Sequence, residues 1–157
     1  MLRPLLIAQF ILSCYTLLAQ NEHWKSYPDS TIWNFYNDPD ISVDRIVAKA
    51  GGKRLLLFYF EISKTDINKM NQHVLYDPEV VKYMTENFYL LAIGLDSNPA
   101  FEKGYRKFLQ EQTYYIQTTP AFSIYNNEGV LRGSKPFTNA TSKTKLEFLE
   151  FLKKRLN

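Results

Sequence analysis

Disulfide exchange needs a thiolate nucleophile, and the chain has a single cysteine, Cys14, inside an apolar N-terminal stretch. The histidines, His23 and His73, lie far apart with no cysteine or compact carboxylate group beside either. The residues therefore predict neither a zinc site nor a nucleophile–base pair, and no metal or other cofactor is expected. Asp38, Asp40 and Asp44 crowd together, but no calcium-loop spacing of glycine and glutamate follows, so they read as helix-capping residues. Ser63, Lys64 and Thr65 stand at the expected start of a helix. Free N–H groups and the helix dipole favour an anion there, and the lysine adds to that preference. The plainer reading is a solvated helix start with Ser63 as its N-cap.

The placement of Cys14 decides what chemistry survives in the mature chain. Met1-Leu2-Arg3 precedes an apolar stretch from Leu5 to Leu18, followed by Ala19-Gln20 and the polar Asn21-Glu22-His23. This is the pattern of a signal peptide over residues 1–20, shorter than the roughly 20 apolar residues of a bilayer span. Ile11-Leu12-Ser13-Cys14 also resembles a lipobox, and membrane attachment is expected only if Cys14 is lipidated. A periplasmic or secreted location follows. Cleavage after residue 20 leaves no cysteine in the compartment where disulfides persist, and packing alone must then hold the fold.

The 157 residues suit one domain, and 19 basic against 16 acidic residues, interspersed, present no basic face for nucleic acid. Residues 21–40 carry Trp24, Tyr27, Trp33, Phe35 and Tyr36 without a clear period and read as an aromatic-rich extended arm over the core. A helix is expected from Ile41, with Val43, Ile46, Val47 and Ala50 on one stripe and Gly51-Gly52 as its C-terminal cap. The continuous apolar run Leu55–Phe60 reads as a central strand covered on both faces.

Residues 63–75 place Ile67, Met70 and Val74 at helical spacing. Asp77-Pro78-Glu79 opens another helix to about Asn87, with an N-cap acceptor, a proline at the first position and an acid near the positive dipole end. Phe88–Leu95 is a second buried strand. Pro99 opens a helix carrying Phe101, Tyr105, Phe108 and Leu109. Ala121–Tyr125 and Val130–Gly133 flank the turn Asn126–Gly129 and should pair antiparallel. From Thr144 an amphipathic helix closes the chain, with Leu149, Leu152 and Leu156 on its stripe and Thr144 and Glu147 at capping-box spacing. The order predicts an α/β fold: a mixed central sheet flanked by helices in three layers, with a terminal β-hairpin and a C-terminal helix.

Local words sharpen this. Gly52-Lys53-Arg54-Leu55-Leu56-Leu57-Phe58, then Met70, then Val74-Leu75-Tyr76-Asp77-Pro78-Glu79-Val80, and finally Thr118-Thr119-Pro120-Ala121-Phe122 occur in that order. Together they resemble the thioredoxin-like superfamily, specifically the exported bacterial branch related to the C-terminal domain of the DsbD reductase, over residues 41–157. The resemblance implies a Cys-x-x-Cys motif at positions 64 and 67, where this chain has Lys64-Thr65-Asp66-Ile67. Neither lysine nor isoleucine replaces a thiolate, so no autonomous thiol–disulfide activity is expected.

The resemblance also implies a cis-proline at Pro120, with Thr119 offering backbone groups to an extended polypeptide in the manner of strand addition. The leading expectation is a non-catalytic envelope module that binds a polypeptide partner through Ser63, Lys64, Thr65, Asp66, Ile67, Thr119 and Pro120. One alternative is a redox-pathway enzyme or accessory, in which a hydroxyl such as Ser63 or Thr65 polarises an exogenous thiol. Another is a structural subunit whose aromatic arm packs into an assembly. The sequon Asn139-Ala140-Thr141 matters only in a eukaryotic secretory pathway.

Overall fold

The computed structural model describes residues 27–112 and 118–155. Residues 1–26, with Cys14, His23 and Trp24 and the expected signal peptide among them, and Leu156 lie outside them. The sheet has five strands in the order β1-β3-β2-β4-β5: β1 (Asn34–Phe35), β2 (Leu55–Phe60), β3 (Tyr89–Gly94), β4 (Ala121–Tyr125) and β5 (Leu131–Pro136). β2 pairs parallel with β3, from Leu55 opposite Tyr89 to Phe60 opposite Gly94. It pairs antiparallel with β4, from Leu55 opposite Tyr125 to Tyr59 opposite Ala121. The helices are α1 (Val43–Ala50), α2 (Asp66–Met70, continued by the π-helical Asn71–Leu75), α3 (Pro78–Asn87), α4 (Pro99–Gln112) and α5 (Thr144–Lys154).

All six residues of β2 are buried because both faces are covered. Leu56, Phe58 and Phe60 pack with residues of α2, α3 and α5, while Leu55, Leu57 and Tyr59 pack with residues of α1 and α4. The period-2 alternation of a strand thus divides one apolar run between two cores. Phe122 of β4 stacks on Phe58 at 4.4 Å between ring centroids and meets Phe148 of α5 edge-on at 4.8 Å.

Several ends follow their residues. Gly51 closes α1 in the left-handed region at φ +58°, where a side chain is disfavoured. Asp77 caps α3 by accepting from the N–H groups of Glu79 and Val80. Two expectations fail. Ser42, not Asp38 or Asp40, caps α1, because those two carboxylates pair with Arg45. No capping box forms at α5: Thr144 Oγ1 accepts from the N–H of Thr141, and Glu147 pairs with Lys135 instead.

The described part of the aromatic segment is tied down along its length. Asn34–Phe35 adds a parallel edge strand to β3, and Trp33 and Tyr36 are buried. The Tyr105 hydroxyl of α4 donates to the carbonyl of Asp38, and Asn71 donates to that of Tyr27.

Candidate functional site

The register of β2 against β4 builds the site. Tyr59 stands opposite Ala121 in the antiparallel pair, so two residues after Tyr59 and two before Ala121 the loop after β2 and the loop before β4 meet, bringing Glu61 to Thr119. The carboxylate of Glu61 is buried and is a hub. Thr119 donates its hydroxyl to it at 2.5 Å, Lys64 Nζ stands 2.5 Å away, and Arg106 Nη2 of α4 donates at 2.7 Å. Arg106 Nε also reaches Glu102 at 2.9 Å. Burial opposes ionisation of Glu61, but the hydrogen bonds from Lys64, Thr119 and Arg106 outweigh it and hold the carboxyl below its ordinary range.

A second carboxylate fixes the loop. Asp96, just after β3, accepts from the N–H groups of Ile62 at 2.7 Å and Ser63 at 3.0 Å. Burial again works against its charge, and the donors from Ser63 and Ile62 prevail, keeping its carboxyl below the usual range. Ser63 is therefore not a helix N-cap. The helix starts at Asp66 after Thr65, which makes no side-chain cap, because the Ser63 backbone is drawn toward Asp96.

The seven expected site residues divide. Ser63, Lys64 and Thr65 are exposed and form a rim with exposed Thr118, while Asp66 is half-buried and accepts from the N–H of Asn139. Ile67, Thr119 and Pro120 are buried. Ile67 belongs to the core and offers nothing to a partner. The Thr119–Pro120 peptide bond is cis, and no backbone hydrogen bond of Thr119 occurs among the described residues.

Glu61 and Arg106 were not singled out in the sequence. The one signal was an acid abutting a strand buried throughout; besides Lys64, its partners lie 45 and 58 residues away. Beside the rim, a cleft of about 530 Å³ is lined by Tyr27, Phe35, Tyr36, Phe60 and Ser97 among others, none of them charged. Among the described residues no three His, Cys, Asp or Glu side chains converge to hold a metal, and no helix is long and apolar enough to cross a membrane.

A parallel β2–β3 pair, an antiparallel β4–β5 hairpin and a cis-proline loop facing the end of the central strand define a thioredoxin-like fold. The family model for the thioredoxin-like domain matches residues 41–146, and the chain belongs to that family. No curated protein matches it. A disulphide isomerase from Xylella fastidiosa superposes with a TM-score of 0.57 at 19% identity, covering 76% of this chain and 98% of that one. A thioredoxin from Thermus thermophilus gives 0.54 at 21%, covering 78% and 86%. The DsbD C-terminal domain of Neisseria meningitidis gives 0.48 at 16%, covering 69% and 88%.

Proposed function

We propose that the protein is a non-catalytic thioredoxin-like module of the cell envelope that binds a polypeptide segment across the rim of Ser63, Lys64, Thr65 and Thr118. The observation that carries this reading is the ordered charge cluster around Glu61, at the end of β2 where the resemblance implies a thiol site. Lys64 and Arg106 both hold Glu61, yet an ammonium has three donors and a guanidinium five, so each keeps N–H groups for a ligand. Their side chains remain 45% and 40% exposed. With Glu61 and Glu102 the cluster is formally neutral, which suits carbonyl oxygens of a peptide backbone better than a free anion. The adjoining uncharged cleft adds room for an apolar side chain. Envelope location is supported by the signal-like residues 1–20.

The test places a photo-crosslinking amino acid at position 64, 65 or 118, and at Lys107 on the exposed side of α4 as a control, with the protein expressed in its native envelope. Adducts to one polypeptide from the three rim positions, absent from the control and lost on Lys64→Glu, are the expected result. Adducts of equal yield from all four positions, or from the control alone, would exclude this rim.

A further inference from the structure

We infer that Arg54, Arg132 and Arg155 form a binding site for a phosphate-type oxyanion at the end of the sheet opposite Glu61. Each arginine is placed by a different element. Arg54 directly precedes β2, and its carbonyl accepts from the Tyr89 N–H at 2.7 Å, which fixes the backbone there. Arg132 is the extra residue of a β-bulge: Ile124 pairs with Gly133 and Tyr125 with Leu131, leaving Arg132 without an opposite number. Bulges re-aim the side chain they carry. Arg155 caps the end of α5, its N–H donating to the Leu152 carbonyl, and its side chain passes over Gly133 of β5. A Cβ placed on Gly133 would stand 2.7 Å from Arg155 Nε and 3.2 Å from Cζ, so the guanidinium occupies space that only glycine leaves open.

The three arginines, with Asn126 and Asn127, line a cavity of about 230 Å³ that no carboxylate lines. None of the three forms an ion pair with a described residue. The two other described arginines are both paired, Arg45 with Asp38 and Asp40, and Arg106 with Glu61 and Glu102. The acid on the adjoining turn, Glu128, is engaged by Asn126 Nδ2. The carboxyl end of α5 contributes about half a negative charge, well short of three guanidiniums.

Among the described residues folding thus gathers like charges without a paired carboxylate, an arrangement that self-repulsion opposes until an anion enters. Guanidinium forks match the oxygens of phosphate bidentately. A tetrahedral dianion offers acceptors to several forks at once, where a chloride or a single carboxylate serves fewer.

The test uses the full chain, titrated calorimetrically at fixed ionic strength with inorganic phosphate, with acetate, and with phosphatidylcholine vesicles with or without phosphatidic acid. Three variants accompany it: Arg132→Gln/Arg155→Gln; Gly133→Ala, which keeps every charge but displaces a flexible side chain; and the charge-matched control Lys103→Gln/Lys107→Gln. Saturable phosphate binding, stronger than acetate, weakened about tenfold or more in the double arginine variant, reduced in Gly133→Ala and retained in the control, is the expected result. The same variant dependence seen only with phosphatidic acid vesicles assigns the phosphate to a lipid headgroup. Binding of neither probe, or equal loss in the control, overturns the inference. Unchanged thermal unfolding without ligand separates loss of the site from loss of the fold.

Discussion

Changing Glu61 to glutamine tests the charge cluster. The substitution keeps size and removes the charge. The Thr119 hydroxyl, buried with it, then faces an amide, and a poorly satisfied buried polar group costs about 1–3 kcal/mol. Breaking a fully buried ion pair costs about 3–5 kcal/mol, but Lys64 and Arg106 keep 45% and 40% of their side-chain exposure and rehydrate. Their share stays below about 1 kcal/mol, the level of exposed pairs. The sum is about 2 kcal/mol, or about 4–8 °C in Tm for a chain of this size. The sign with pH follows from the lowered carboxyl. Its stabilisation is complete above the unfolded value, near about 4.3, and vanishes as pH falls through the lower folded value. Urea unfolding followed by circular dichroism should therefore show Glu61→Gln clearly weaker than wild type at pH 7, with the gap narrowing as pH falls below the ordinary carboxyl range. A gap under about 0.5 kcal/mol at pH 7, the scatter of ordinary surface changes, or one that widens as the solution is acidified, would refute the reasoning.

Three further substitutions, at two positions, probe the frame that holds this cluster. Phe122→Ala removes the ring stacked on Phe58 and edge-on to Phe148 and should cost about 3–5 kcal/mol in urea unfolding; a cost below 1 kcal/mol would mean the two layers do not depend on that contact. Gly51→Ala meets no atom within 4 Å, so its cost should be conformational, about 1 kcal/mol, and Gly51→Asn should recover part of it because asparagine tolerates the left-handed region.

Local signals were legible wherever one residue decides the structure. Asp77 with Pro78 starts α3, Gly51 ends α1, and Asn126–Gly129 turns the hairpin, all by chemistry confined to a few neighbouring positions. What stayed hidden depends on partners distant in sequence. β1 is two residues long, too short for a period, and exists because β3 offers it an edge. Ser63 reads as a cap until Asp96, 33 residues on, takes its N–H. Thr144 and Glu147 have the spacing of a capping box, but Lys135 competes for the glutamate. The resemblance pointed to the cis-proline at Pro120, which the backbone bears out. That Thr119 is buried beneath the rim, with its hydroxyl committed to Glu61, required the register of β2 against β4.

The grip of Asp96 on Ile62 and Ser63 sets when the rim becomes ordered. Two neighbouring N–H groups end on one carboxylate, so the loops after β2 and β3 are clasped to each other before any partner arrives. Fixing a backbone residue costs about 1–2 kcal/mol in entropy, and for this stretch that cost is incurred on folding rather than on binding. On the proposed function, a polypeptide bound at the rim meets these two residues already ordered, and ligands of different sequence should differ chiefly in how fast they come apart.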